Sequence, residues 1–126
     1  MEQKISVSIV DDDEAVRVAM KGLVESFGYD VETFDSAASL LASRRLREVS
    51  CLIVDVQMPK MSGPELFEAL KDAGIKIPVV FVTAFPNDNL RGRALKAGAI
   101  AYLAKPCSGS ILLENIKKAL EYDKLN

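Results

Sequence analysis

The stretch Cys51–Pro59, with the sequence CLIVDVQMP, is the part of the chain that decides the fold. It is a run of apolar and partly β-branched residues interrupted by a single carboxylate, Asp55. Such a run is typical of a strand buried on both faces, as in a parallel sheet. Burying a carboxylate is costly unless charges or hydrogen bonds compensate it, and Pro59 favours a turn after the strand. We therefore expect Asp55 at the carboxyl end of a central strand, where open α/β sheets bind their ligands.

Length and composition set the broad class of protein. The 126 residues are expected to form one domain, 1–126, and the hydrophobic fraction of 49% is ordinary for a globular protein. The net charge of -2 gives no electrostatic reason to expect direct nucleic-acid binding. Because no transmembrane run, secretory signal or disulfide framework is evident, the sequence predicts a cytoplasmic protein without membrane contact. Histidine, the commonest general base, is absent.

Strands and helices are expected to alternate along the whole chain. The predicted strands are Ile5–Val10, Val31–Phe34, the stretch from Cys51, Pro78–Thr83 and Ile100–Ala104. The first of the helices that follow them has apolar residues on one face at helical spacing: Val16, Met20, Leu23, Val24 and Phe27. The fourth helix is weaker, and its residues Leu90, Ala94 and Leu95 are expected to face inward. The other helices carry these apolar residues: Leu40 and Leu41; Leu66, Phe67 and Leu70; Ile111, Leu112, Ile116 and Leu120. Either Asp35 or Ser36 can cap the second helix, and Pro64 suits the first turn of the third. This alternation predicts an α/β fold with a doubly wound, five-stranded parallel sheet.

Polar residues follow the predicted strands at their carboxyl ends. Asp11 and Asp12 follow the first strand, Asp55 ends the third, Thr83 ends the fourth and Lys105 follows the fifth. If the first strand lies beside the third, the three carboxylates converge in one crevice. A hard divalent cation relieves their repulsion, and a site of few oxygen ligands suits Mg²⁺. A nucleophilic carboxylate, a metal, a lysine and a hydroxyl together fit phosphoryl transfer, with Asp55 attacking phosphorus.

Four motifs, each at a predicted strand end, together resemble the receiver domain of two-component response regulators, the chemotaxis-Y-like superfamily, over essentially the full chain. They are Ile9–Asp12 (IVDD), Val54–Gly63 (VDVQMPKMSG), Val82–Ala84 (VTA) and the pair Lys105 and Pro106. The second motif, with the later pair Gly98 and Ala99, is most similar to the FixJ-type branch. The resemblance implies a flavodoxin-like (βα)5 fold with strand order 2-1-3-4-5.

The resemblance also implies roles for individual residues. These are the phosphoacceptor Asp55, the direct Mg²⁺ ligand Asp12, the largely water-mediated ligand Asp11, a backbone carbonyl ligand from Gln57, the switch pair Thr83 and Tyr102, and the phosphate-contacting Lys105, with a cis peptide bond between Lys105 and Pro106. Gln57 and Phe85 occupy variable positions beside the path of the attacking water, so we expect their side chains to modulate the phosphoryl lifetime. Cys107 stands where this branch often has an aromatic residue.

The function implied by the resemblance is that of a phosphoacceptor. A sensor histidine kinase would donate the phosphoryl group, and the chain would catalyse only its own phosphorylation and dephosphorylation, so it is not an enzyme in the usual sense. We expect the new charge at Asp55 to draw the Thr83 hydroxyl inward and to let Tyr102 turn from an outward to an inward rotamer. A homodimer or an output complex would then form through the face of the fourth helix, fifth strand and last helix. This face carries Arg91, Arg93, Lys96, Lys117, Lys118, Glu121 and Tyr122.

Other functions share parts of this pattern. A phosphohydrolase of the haloacid-dehalogenase type also uses an aspartyl phosphate, but it needs an aspartate two residues after the nucleophile, where this chain has Gln57. A flavodoxin-like cofactor module is disfavoured because no glycine-rich loop follows the first strand. A receiver that docks without phosphorylation stays open, as does the question whether the chain is a stand-alone regulator or part of a longer DNA-binding one.

Overall fold

The computed structural model describes residues 5–125 and contains one parallel sheet with helices on both faces. The strands are β1 Ser6–Val10, β2 Asp30–Phe34, β3 Cys51–Asp55, β4 Val79–Thr83 and β5 Ala101–Ala104. The helices are α1 Glu14–Ser26, α2 Ala37–Leu41, α3 Gly63–Asp72, α4 Asp88–Lys96 and α5 Gly109–Leu125, with a short 3-10 helix at Leu46–Glu48. The strand order is 2-1-3-4-5, which confirms the predicted doubly wound, flavodoxin-like α/β fold. Within these residues, no helix is long and apolar enough to cross a membrane.

Strand β3 lies at the centre of the sheet and is buried along its whole length. Its side chains alternate between two apolar layers. Cys51 and Ile53 pack in the layer that contains residues of α1 and α5, and Leu52 and Val54 in the layer with residues of α2, α3 and α4. A strand covered on both faces needs apolar residues at every position, which explains the unbroken run in the sequence.

The winding of the sheet reverses at β1, which pairs with β2 on one side and with β3 on the other. Val10 is in register with Val54. The residues that follow them, Asp11 and Asp55, therefore leave the sheet side by side. The crevice at this reversal is the position where open α/β sheets bind ligands.

Some sequence-based predictions about single residues were wrong. Three strands begin one residue later than predicted, so the following residues lie before β1, β4 and β5: Ile5, Pro78 and Ile100. Leu95, which was expected to face inward, is 38% exposed. It is the neighbour of the buried Ala94, and one step along a helix turns a side chain by about 100°. At the start of α2 the open choice of cap is resolved, because the Ser36 hydroxyl accepts the backbone N–H of Ser39 at 3.1 Å.

Candidate functional site

Three aspartates and one lysine meet at the crevice between β1 and β3. One carboxylate oxygen from each of Asp11, Asp12 and Asp55 lies within 4.8 Å of the other two. Lys105 Nζ donates to Asp11 Oδ2 at 2.7 Å and lies 3.3 Å from Asp55 Oδ1. Asp11 and Asp55 are buried, whereas Asp12 is exposed. Three carboxylates and one ammonium leave a formal charge of about -2, so the chemistry of this group suits one divalent cation.

The environment raises the pKa of both Asp55 and the half-buried Lys105, which disfavours the charged form of Asp55 and favours that of Lys105. Burial raises the pKa of Asp55, the charge of Asp11 raises it further, and the opposing attraction of Lys105 does not cancel these effects. Burial lowers the pKa of Lys105, but the hydrogen bond and charge of Asp11, together with Asp55, outweigh it and raise the pKa overall. Lys105 therefore stays charged, while the ionised form of Asp55 is disfavoured until more positive charge arrives.

The start of α1 holds Asp11 in place. Its Oδ1 accepts the backbone N–H of Asp13 at 2.9 Å, and its backbone carbonyl accepts Arg17 Nη1 at 2.7 Å. With Lys105 on Oδ2, both carboxylate oxygens of Asp11 have protein partners. Asp12 forms no hydrogen bond or ion pair with any residue of 5–125 that would compete with a ligand. Sequence reasoning missed Arg17, because an arginine in the first turns of an amphipathic helix is usually solvated.

The turn after β3 packs directly against the backbone of Asp55. Gly63 N–H donates to the Val56 carbonyl at 3.0 Å, and a Cβ on Gly63 would lie 2.5 Å from the backbone oxygen of Asp55. A glycine is therefore required for the chain to pass this close. Ser62 and Glu65 form a reciprocal capping box that begins α3 here, and the hydrogen bonds from Ser62 lower the pKa of Glu65.

Thr83 ends β4 with its hydroxyl fully engaged by other residues. Its Oγ1 donates to Gln57 Oε1 at 2.7 Å and accepts the backbone N–H of Phe85 at 3.0 Å. Thr83 is buried, whereas the Phe85 side chain is 73% exposed. Sequence reasoning placed Gln57 and Thr83 at neighbouring strand ends but missed the bond between them, since no sequence pattern orients a glutamine amide.

Tyr102 lies in β5 with its ring buried, and its hydroxyl has no hydrogen-bond partner among the residues that the structure describes. The ring borders a cavity of about 190 Å³ together with Phe81, Leu90 and Ala94. The ring is thus already on the buried side, the position that we expected of the phosphorylated chain. The switch role of Tyr102 with Thr83 stays a prediction.

The segment after β5 brings Lys105 to the site. Its backbone N–H donates to the Thr83 carbonyl at 2.8 Å, and the peptide bond between Lys105 and Pro106 is cis. Cys107 lies next in the chain and is half-buried. The other cysteine, Cys51, is part of the core as predicted, and burial, with the charge of Asp123, raises the pKa of its thiol to about 12. Cys51 is therefore a packing residue.

Comparisons with known proteins match most of the chain to one family. The family described as response regulator receiver domain matches residues 7–117. The response regulator protein TodT of Pseudomonas putida is 39% identical over 115 residues, which cover 91% of this chain and 51% of that protein. The chain thus spans about half the length of the curated relatives it matches.

Two solved structures superpose closely on the whole sheet and its helices. The response regulator StyR has a TM-score of 0.88 at 43% identity, with 97% of this chain and 62% of that chain covered. FixJ-N has a TM-score of 0.85 at 34% identity, with 96% of this chain and 97% of that chain covered. With most of the sequence matched by the family and the sheet shared with these structures, the chain belongs to the response regulator receiver domain family.

Proposed function

We propose that Asp55 accepts a phosphoryl group from a sensor histidine kinase in the presence of Mg²⁺, and that this modification controls an output or a partner. The observation that carries the proposal is the buried Asp55 carboxylate, which lies 3.3 Å from Lys105 Nζ. Two further carboxylates lie beside it, in the crevice where the winding of the sheet reverses. Receiver domains are regulatory proteins rather than classical enzymes. The chemistry proposed here is accordingly a single transfer onto the protein itself.

The transfer is a nucleophilic displacement at phosphorus. A carboxylate oxygen of Asp55 forms the new bond to phosphorus, and the bond from phosphorus to the histidine nitrogen of the kinase breaks. The nitrogen leaves with the bonding electron pair and takes a proton from water. Lys105, held by Asp11 at 2.7 Å, is positioned to stabilise the negative charge of the transferred oxygens.

Mg²⁺ fits the donor set of the cluster, and when bound it neutralises charge on the transferred oxygens. Asp12 is exposed and is the carboxylate we assign as a direct ligand. Asp11, whose oxygens already accept hydrogen bonds from Asp13 and Lys105, would act largely through water. Asp55 and the backbone carbonyl of Gln57 complete the proposed set.

The proposed readout passes from Asp55 through Thr83 and Tyr102 to the α4-β5-α5 face. A phosphoryl oxygen is a charged acceptor and competes well for the Thr83 hydroxyl. The mixed-charge residues predicted for this face are exposed, which supports a contact with a second copy or an output partner. They are Arg91, Arg93, Lys96, Lys117, Lys118, Glu121 and Tyr122.

The first test is labelling by acetyl phosphate with Mg²⁺, or by a phosphorylated histidine kinase. Asp55→Asn should abolish the label, because an amide is a poor nucleophile for phosphorus. Asp72→Asn, at the end of α3, removes the same charge from the surface and should label normally. An undiminished, hydroxylamine-sensitive label on Asp55→Asn would place the phosphoryl group elsewhere. Rapid turnover of a phosphate ester by the wild type would favour the phosphohydrolase instead.

The second test concerns the proposed face. Beryllium fluoride mimics the phosphoryl group, and with Mg²⁺ it should shift the backbone resonances of Thr83, Tyr102 and residues 87–122. Measurement of the mass in solution under the same conditions tests the homodimer. If Thr83 and Tyr102 shift while residues 87–122 do not, the signal leaves the domain by another route.

A further inference from the structure

The single hydroxyl proton of Thr83 is already donated in a hydrogen bond. The hydroxyl donates to Gln57 Oε1 at 2.7 Å, and its oxygen accepts the N–H of Phe85 at 3.0 Å. A threonine hydroxyl carries one proton and cannot donate to two acceptors at full strength. Because Thr83 is completely buried, water does not offer it a substitute acceptor. Any new acceptor at Asp55 must therefore take the proton from Gln57.

We propose that Gln57 is a positioning residue that holds Thr83 in its unphosphorylated arrangement, so that the Gln57 amide and the phosphoryl group compete for the Thr83 proton. This inference rests on the proposed function of Asp55. It differs from an effect of Gln57 on the attacking water, because it assigns the amide a role before any phosphoryl group is present. Gln57 then sets how readily the domain switches.

The position of Gln57 suits a bond that forms and breaks. Gln57 lies two residues after Asp55, at the carboxyl end of the same strand. Gln57 is exposed, whereas Thr83 is buried. When Thr83 turns away, the Gln57 carbonyl regains water as a donor and leaves no buried polar atom unpaired. Breaking a neutral hydrogen bond under these conditions has a modest effect on an equilibrium, roughly threefold to tenfold.

Gln57→Met tests this role, because methionine has nearly the same length and lacks the carbonyl acceptor. Titration with beryllium fluoride at fixed, saturating Mg²⁺ should show an apparent affinity roughly threefold to tenfold tighter than that of the wild type. In the unliganded protein the Phe85 amide resonance should also move, since the oxygen it donates to is no longer held. Thermal unfolding checks that the variant is folded, and Gln57→Ala provides a second variant if it is not.

The matched control is the same substitution in a Thr83→Val background. Thr83→Val removes the proton for which the two acceptors compete, so Gln57→Met should then leave the affinity unchanged. An equal gain in both backgrounds would overturn the inference, because Gln57 would act by its size or polarity alone. Equal affinities of Gln57→Met and an otherwise competent wild type would overturn it too. A wild type that takes up no beryllium fluoride instead overturns the proposed function, and the inference falls with it.

Discussion

Two clusters of polar residues lie at the same edge of the sheet and are held by different interactions. We call the cluster around Lys105 the charged group and the cluster around Thr83 the neutral group. Around Lys105 the contacts are between ions, at 2.7 Å to Asp11 and 3.3 Å to Asp55. Around Thr83 the contacts are neutral, with one donated bond to Gln57 and one accepted bond from Phe85. Hydrogen bonds between charged groups are about twice as strong as neutral ones. The charged group is therefore fixed before any phosphoryl group arrives, while the neutral group can change partners.

The difference extends to the backbone beneath each group. Near the charged group, Gly63 packs against the backbone carbonyl of Asp55, and Arg17 of α1 donates a hydrogen bond to the backbone carbonyl of Asp11. Near the neutral group, the chain beyond Thr83 leads to α4, in which Ala94 is the one buried residue and Leu90 is half-buried. Tyr102 next to it has an unpaired hydroxyl within the described part of the chain. Under the proposed function, the charged group has to stay in place for phosphoryl transfer, and the neutral group has to change partners for the readout.

The largest expected effect comes from a substitution at Gly63, in the turn beside the charged group. Gly63→Ala would place a Cβ 2.5 Å from a backbone oxygen that cannot rotate away. Overpacking of this kind costs about 1–3 kcal/mol of the free energy of unfolding. Urea unfolding measures it, with Gly22→Ala as the control. Gly22 lies inside α1 with no atom near its missing Cβ, so alanine there should stabilise the chain by about 0.5–1 kcal/mol. A Gly63→Ala variant as stable as the wild type would show that this turn is not tight.

The next effect separates the two neighbouring carboxylates of the charged group. Asp12→Ala should weaken Mg²⁺ binding by about tenfold, which corresponds to about 1.4 kcal/mol, and by more than Asp11→Ala does. Both changes remove one charge, so the comparison tests the position of the ligand. Asp13→Asn removes a charge next to the site while keeping a capping side chain, and it should bind Mg²⁺ almost normally. Calorimetric titration is the measurement, and equal affinities for all three variants would contradict the proposed ligand set.

The charged group was predictable from sequence and the neutral group was not, for a physical reason. Strand periodicity places Asp11, Asp55 and Thr83 at strand ends, and the parallel sheet brings strand ends to one edge. That argument needs only the backbone. The bond from Thr83 to Gln57 depends on a side-chain rotamer, which neither hydrophobic pattern nor spacing determines. The same limit explains the exposure of Leu95, since an amphipathic pattern predicts a face of a helix but not the width of its buried stripe.

A smaller effect concerns the pH dependence of the charged group in the absence of metal. The pKa of Asp55 is raised in the folded chain, mainly by burial and then by Asp11. The folded state therefore binds this proton more tightly than the unfolded state, and stability falls as pH rises from about 3.9 through the raised folded pKa. In EDTA at pH 7, Asp55→Asn should unfold at a higher urea concentration than the wild type. The gain should shrink as pH falls towards 3.9, and a gain independent of pH would point to packing rather than charge.

The smallest expected effect comes from a substitution in α4, the helix that follows the neutral group. Gly92 lies in the middle of α4, is exposed and has no atom within 4 Å of its missing Cβ, so alanine fits without strain. Gly92→Ala should stabilise α4 by about 0.5–1 kcal/mol, because glycine loses more backbone freedom in a helix than alanine does.

Hydrogen exchange should reveal this gain, since local opening of a helix sets the exchange rate of its amides. The amides of α4 in Gly92→Ala should exchange roughly twofold to fivefold more slowly, while Asp55 is labelled by acetyl phosphate at the wild-type rate. Gly22→Ala makes the same chemical change in α1 and should leave exchange in α4 unaltered. If Gly92→Ala slowed the labelling of Asp55 as much as it slowed hydrogen exchange in α4, the charged group and α4 would form one cooperative unit. The division between a rigid charged group and a loose readout would then be wrong. Unchanged labelling with slower exchange would show that α4 can be stabilised independently of the site, as expected of a helix that contacts the core mainly through Ala94 and Leu90.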